Sequence, residues 1–183
     1  MAQKIVCIGD SITYGYPFGP EYSWVNLALK NKTGMLTVIN KGINGDTARG
    51  VKKRFERDVV KNSPDTVIIT VGTNDAWLGV KAENYLKMIE DCFCQARDAG
   101  IRTIIGMPVP ALDALIEENL REYRELLREF CQEHRLQLLD FYSRFNSVSY
   151  RELTDFFTDE VHPSFAGYRL MAEVFSKFLG KLK

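Results

Sequence analysis

The stretch Thr66-Val67-Ile68-Ile69-Thr70-Val71, followed at once by Gly72-Thr73-Asn74-Asp75, decides the fold. It is rich in β-branched residues and shows no alternation of polar and apolar positions, the pattern of a strand buried on both faces. Other runs read the same way: Ile5-Val6-Cys7-Ile8 ending at Gly9, Leu36 to Asn40, Arg102 to Met107 stopped by Pro108 and Pro110, and a weaker run from Leu136 to Asp140. Helical patterns fill the gaps. Tyr22 to Lys30 is the first. Val51, Phe55 and Val59 recur at i, i+4 and i+8 in the next, with Asp46 or Thr47 as its N-cap. Tyr85, Met88, Ile89, Cys92, Phe93 and Ala96 mark a long helix closed by Gly100. Another carries Leu115, Ile116, Leu120, Tyr123, Leu127, Phe130 and Cys131, and the last runs from Phe165 to Leu182. Phe141 to Thr158 has no clear period and reads as loops with a short turn of helix. Strands alternating with helices predict a parallel sheet covered on both faces: a three-layer α/β/α sandwich on a five-stranded sheet, in the order 2-1-3-4-5. Sites in such sheets form beyond the carboxyl ends of the strands, where the strand order reverses.

A chain of 183 residues fits one domain spanning 1–183, with no repeat or linker. Its 45% hydrophobic and 26% charged residues are the composition of a folded, soluble protein. Lys plus Arg balance Asp plus Glu at 24 each, so no global field draws the chain to nucleic acid or to an anionic membrane. The local basic cluster Lys52, Lys53, Arg54 and Arg57 reads as a solvated helix face. The apolar run near the start is too short for a signal-peptide core, and nothing later reaches the roughly 18 apolar residues of a membrane span. The expected location is the cytoplasm, without integral membrane association. Cys92-x-Cys94 is not a zinc pattern, and with only two histidines, His134 and His162, no metal site is expected. Cys92 and Cys131 read as buried thiols, a redox pair at Cys92 and Cys94 being the remote alternative. His134, in a charged stretch, reads as a solvated helix end.

Four short blocks fall at strand ends or loops: Gly9-Asp10-Ser11-Ile12 after the first strand, Gly42-Ile43-Asn44-Gly45-Asp46-Thr47 after the second, Gly72-Thr73-Asn74-Asp75 after the third, and Asp159-Glu160-Val161-His162-Pro163 before the last helix. A serine hydroxyl is a weak nucleophile near neutral pH and needs a base within hydrogen-bond reach. His162 is the candidate base for Ser11, and Asp159 at i−3 can fix its tautomer and stabilise the imidazolium. Acyl transfer also needs donors aimed at the developing oxyanion. The Ser11 amide, the Gly45 amide (unobstructed by a side chain) and the Asn74 side chain can supply them.

Each block has a plainer reading. Asp10 and Ser11 could only cap a helix, Gly42 and Gly45 only turn the chain, Asn74-Asp75 only form a turn, and Asp159 only cap one. Gly42 is expected to do just that. Asp46 reads as a helix cap. Asp75 reads as structural, or as a partner of the serine loop. Aromatics crowd the first block. Trp24 is expected in the core, whereas Tyr16, Phe18 and Trp77, with Pro108 after the fourth strand, are expected to line a substrate pocket.

The four blocks, in this order and spanning residues 9 to 163, resemble the marker blocks of the GDSL, or SGNH, hydrolase family. The resemblance implies a flavodoxin-like topology, Ser11 as nucleophile, Gly45 and Asn74 completing an oxyanion hole with the Ser11 amide, and His162 as the base held by Asp159. It implies a serine hydrolase that cleaves small carboxylic esters through an acyl-enzyme without a cofactor. Thioesters and lysophospholipids are further acyl donors, and carbohydrate O-deacetylation with the same residues is the alternative. Two rival classes share the topology. A phospho-acceptor receiver could use Asp10 and Asp75, but it wants a lysine after the fifth strand, where Asp140-Phe141-Tyr142 stands. A non-catalytic flavodoxin-like binder of phosphate or nucleotide leaves Asn74, Asp159 and His162 without work. Oligomeric state is not legible.

Overall fold

The computed structural model describes residues 3–30, 36–147 and 149–181. In chain order the elements are β1 (Gln3–Gly9), α1 (Ser11–Tyr14), α2 (Trp24–Leu29), β2 (Leu36–Gly42), α3 (Ala48–Asp58), β3 (Thr66–Thr70), α4 (Thr73–Trp77), α5 (Ala82–Asp98), β4 (Arg102–Gly106), α6 (Ala114–Glu133), β5 (Gln137–Leu139), α7 (Phe141–Phe145), α8 (Tyr150–Leu153) and α9 (Phe165–Leu179). The strands form one parallel sheet in the order β2-β1-β3-β4-β5, as the sequence predicts. Leu182, expected in the last helix, lies outside the described residues.

The uninterrupted apolar strands follow from this topology. Successive side chains point to opposite faces, and both faces are covered. Val6, Ile8, Val67, Ile69 and Ile105 face the helices α3, α5 and α6, whose buried positions include Phe55, Ile89, Leu120 and Leu127. Ile5, Cys7, Ile68 and Ile104 face the other side, where α2, α7 and α9 bring Trp24, Phe141 and Phe175. Trp24 is fully buried as expected, with its ring 5.0 Å from those of both Phe141 and Phe175. Each such side chain contributes roughly 1.5–3 kcal/mol by leaving water.

Register places the site. Gly9 pairs with Gly42 on one side and with Thr70 on the other, so β1, β2 and β3 end level with one another. The order reverses here: the chain leaves β1 for β2 and returns across it to β3. Neither glycine can be replaced without moving backbone. A Cβ on Gly9 would stand 2.0 Å from the Thr70 carbonyl oxygen, and one on Gly42 would stand 2.1 Å from the Tyr14 amide nitrogen. Gly42 is thus a strand residue that admits the α1 turn, not the simple turn residue expected.

Four local readings are corrected. Thr47, not Asp46, caps α3, accepting from the Gly50 amide, while the Asp46 carboxylate pairs with Arg54. Arg54 is buried, where a solvated face was expected. It lies on the inward stripe with Val51, Phe55 and Asp58, and carbonyl and carboxylate acceptors satisfy its donors there. Leu115, read as a core position of its helix, is 74% exposed in the first turn of α6. The segment from Phe141 to Thr158 holds α7, α8 and a 3-10 turn at Thr154–Phe156, more helix than its pattern suggests. All four cysteines are free, with Cys92 and Cys131 buried, as read. His134 sits exposed at the end of α6, also as read.

Candidate active site

Ser11 starts α1 directly off β1. Asp10 at the N-cap is extended, and its carboxylate accepts from the Ile12 amide at 2.9 Å, which starts the helical turn at Ser11. Ser11 Oγ lies 3.0 Å from His162 Nε2. On the far side of the ring, His162 Nδ1 lies 2.7 Å from Asp159 Oδ2. The other carboxylate oxygen of Asp159 accepts from the amides of Val161 at 2.9 Å and His162 at 2.7 Å. One acid therefore caps the turn and anchors the ring it carries. The network assigns the proton to Nδ1, leaving the Nε2 lone pair facing the serine. Burial pushes the Asp159 carboxyl up, but the Val161 amide, the His162 ring and the His162 amide outweigh it, so the group is held below the usual carboxylate range.

The histidine turn is pinned from several directions. The Thr158 amide donates to the His162 carbonyl at 2.9 Å, Phe157 and Pro163 form an antiparallel bridge, and the Leu112 amide donates to the Glu160 carbonyl at 2.7 Å. The Tyr16 ring packs on the imidazole with centroids 4.6 Å apart.

The other two blocks meet beside the serine. Gly45 has φ +76, a left-handed conformation suited to glycine, and a Cβ there would meet open space. Asn74 Nδ2 donates to the Asp46 carbonyl at 2.8 Å, joining the end of β3 to the glycine loop. One of its two amide hydrogens is thereby used and the other remains. The backbone amides of Ser11 and Gly45 donate to no group among the described residues. Asp75 bonds the same segment two residues on: its carboxylate accepts from the Ala48 amide at 2.9 Å, at the start of α3. That is the structural alternative, with α3 rather than the serine loop as its target. Burial pushes Asp75 up to about 6, the Ala48 amide opposing and the Asp46 charge adding. Burial likewise pushes Asp10 up to about 7, against the Ile12 amide and with the Asp75 charge adding.

A groove of about 840 Å³ runs from His162 and Asn74 past Trp77, Leu115, Asn119 and Glu160. Trp77 is 70% exposed on it. Among the residues expected to line a pocket, Trp77 lines this groove with His162, and Tyr16 packs on the imidazole. Phe18 packs edge-on against Phe165 and Tyr168. Pro108 does not reach the groove. It is buried behind the serine turn, against a cavity of about 10 Å³ shared with Asp10, Ile12 and Thr70. Leu115 and Asn119 were missed by sequence reading. Their spacing of four residues on α6 puts them on one helix face, but nothing in the pattern says that this face meets α4. Among the described residues no cluster of His, Cys, Asp and Glu is arranged to hold a metal ion. None of their helices is long and apolar enough to cross a membrane.

Residues 7–170 match the model of the GDSL-like lipase/acylhydrolase family. The chain belongs to that family. An acetylxylan esterase from Geobacillus stearothermophilus is 27% identical, over 97% of this chain and 94% of its own. The structure of a lipolytic protein of the G-D-S-L family from Desulfitobacterium hafniense superposes with a TM-score of 0.84 at 32% identity, covering 96% of this chain and 98% of its own. A member of the same family from Veillonella parvula gives a TM-score of 0.88 at 27% identity, covering 99% and 100%. This GDSL hydrolase is accordingly a carboxylic ester hydrolase built on the flavodoxin-like α/β sandwich.

Proposed function

We propose that this GDSL hydrolase cleaves small carboxylic esters through an acyl-enzyme on Ser11. The observation that carries the reading is the 3.0 Å contact between Ser11 Oγ and His162 Nε2, continued at 2.7 Å to Asp159. Ser11 Oγ attacks the ester carbonyl carbon while His162 Nε2 takes its proton. The oxyanion that forms is met by the Ser11 and Gly45 amides and the remaining Asn74 hydrogen. As the carbonyl re-forms, the C–O bond to the alcohol breaks and the imidazolium returns its proton to the leaving oxygen. Water then attacks the acyl-enzyme with His162 as base again, releasing acid and free serine. Asp159 holds the ring and stabilises the imidazolium without itself taking the proton.

The groove favours one subclass, acetyl esters of carbohydrates. An exposed indole on the groove that His162 also lines offers a flat apolar face to a sugar ring, and Asn119, Asp113, Glu118 and Glu160 offer acceptors for its hydroxyls. The acetylxylan esterase relative points the same way.

The test pairs a label with a substrate series. A fluorophosphonate probe is expected to modify Ser11, read by peptide mass spectrometry, with no adduct in Ser11→Ala. Esters of p-nitrophenol from acetate to palmitate, beside acetylated xylo-oligosaccharides, then rank acyl length and alcohol. Turnover that persists in Ser11→Ala overturns the mechanism. A preference for long acyl chains overturns the carbohydrate reading and leaves the mechanism standing.

A further inference from the structure

Arg54 has a side chain only 9% exposed, and the cycle above gives it no task. Its guanidinium binds on several sides at once. Nε donates to Asp46 Oδ2 at 2.7 Å. One terminal nitrogen donates to the Lys41 carbonyl at 2.9 Å and to Asp58 Oδ2 at 3.1 Å, and the other donates to the Gly9 carbonyl at 2.8 Å. Three of these acceptors bracket the site. Gly9 ends β1 just before Asp10 and Ser11. Lys41 lies at the end of β2 and leads into the Gly45 loop. Asp46 follows Gly45, and its carbonyl holds Asn74 Nδ2. The fork of a guanidinium is planar and rigid, so bonds to all three fix their mutual spacing.

We infer that Arg54 is a positioning residue for the oxyanion-binding groups. It sets the distance between the Ser11 turn and the Gly45 loop and, through the Asp46 carbonyl, the direction of the Asn74 amide. The inference rests on the roles proposed for Ser11, Gly45 and Asn74. A buried arginine that only neutralised Asp46 and Asp58 would need no bonds to the Gly9 and Lys41 carbonyls. Donors to an oxyanion act in the transition state and hardly touch the bound ester, so their misplacement lowers kcat and spares KM.

The test is the hydrolysis of p-nitrophenyl acetate by Arg54→Lys, made alone and together with Asn74→Ala, with thermal unfolding followed for each protein. Lysine keeps the charge and loses the fork. Alone, Arg54→Lys is expected to lower kcat about ten-fold or more with KM within about two-fold. Against the Asn74→Ala background the further loss is expected to shrink below about three-fold, because a donor that Arg54 positions is already gone. Equal losses in the two backgrounds, a raised KM at unchanged kcat, or no change at all overturn the inference. If Arg54→Lys does not fold, Asp46→Asn carries the same pair of measurements. It leaves the carbonyl that holds Asn74 in place and weakens the bond from Nε. Turnover that persists in Ser11→Ala overturns the reading of the site itself, whatever Arg54 does.

Discussion

Ser11 Oγ and His162 Nε2 stand 3.0 Å apart although they lie 151 positions apart in the chain. Three neighbouring strand ends deliver the serine, the glycine loop and Asn74, and a pinned turn ahead of α9 delivers the imidazole. His162→Ala removes the proposed base. Its kcat on p-nitrophenyl acetate is expected to fall about 10⁴-fold or more, measured at substrate saturation. A loss of less than ten-fold counts against His162 as the base.

Asp159→Asn tests the orientation of the ring. The amide can still accept from the turn, but its NH₂ faces Nδ1 and favours the wrong tautomer. A fall in kcat of about 10²–10⁴-fold, with Tm little moved, is expected from steady-state kinetics beside thermal unfolding. A variant with full activity would remove Asp159 from the mechanism.

Asn74→Ala and Gly45→Ala separate donor from backbone. The first removes a proposed oxyanion donor and is expected to lower kcat about 10²–10³-fold with KM nearly unchanged. The second meets open space but forces alanine to φ +76. Tm is expected to drop by about 2–8 °C, from a strain of about 1–2 kcal/mol. A Gly45→Ala protein as stable as the parent would show that the loop has another conformation open to it.

Asp10 makes stability depend on pH. Its folded pKa, raised by burial from 3.8 to about 7, exceeds that of the unfolded chain. Between these values the folded protein keeps a proton that the unfolded chain has released. The contribution is therefore present in full below about pH 4 and is lost as pH rises toward 7. Asp10→Asn keeps the cap on Ile12 and does not titrate. Its Tm relative to the parent is expected to climb between about pH 4 and pH 8, followed by calorimetry. Parallel Tm curves for the two proteins would show that Asp10 does not titrate in this way.

Trp77→Ala tests the groove. The KM for acetylated xylo-oligosaccharides is expected to rise about ten-fold, while kcat/KM for p-nitrophenyl acetate stays within about two-fold. Equal effects on both esters would mean that Trp77 shapes the site and not the place of the alcohol.

The fold was legible because a doubly covered parallel sheet demands apolar runs, and Thr66 to Val71 is one without interruption. The candidate site was legible because three of its parts lie at strand ends and the fourth in the turn before α9, where short blocks of chemistry-bearing residues stand out. What escaped reading depends on contacts between elements remote in sequence. Arg54 looked like part of a basic surface because charge in the sequence does not show which acceptors wait inside. Asp75 could be assigned a partner only once α4 met the start of α3. Pro108 follows a strand end as the pocket reading required, yet packs beneath the serine turn. Leu115 neighbours the buried Ile116 in the first turn of α6, but one residue turns the helix by about 100° and carries it off the inward stripe of Ile116, Leu120, Tyr123 and Leu127.

The histidine turn is continuous with α9, and Tyr168 on that helix donates to the Tyr16 carbonyl at 2.8 Å, next to the imidazole. Together with α2 and α7, the same helix covers one side of the sheet, through Met171 and Phe175. On the proposed mechanism, a molecule whose final helix has peeled away retains its serine but has no base, so turnover counts only fully closed molecules. On warming, activity should fade together with or ahead of the spectroscopic melt, never after it, and the enzyme acts as a gauge of its own completion.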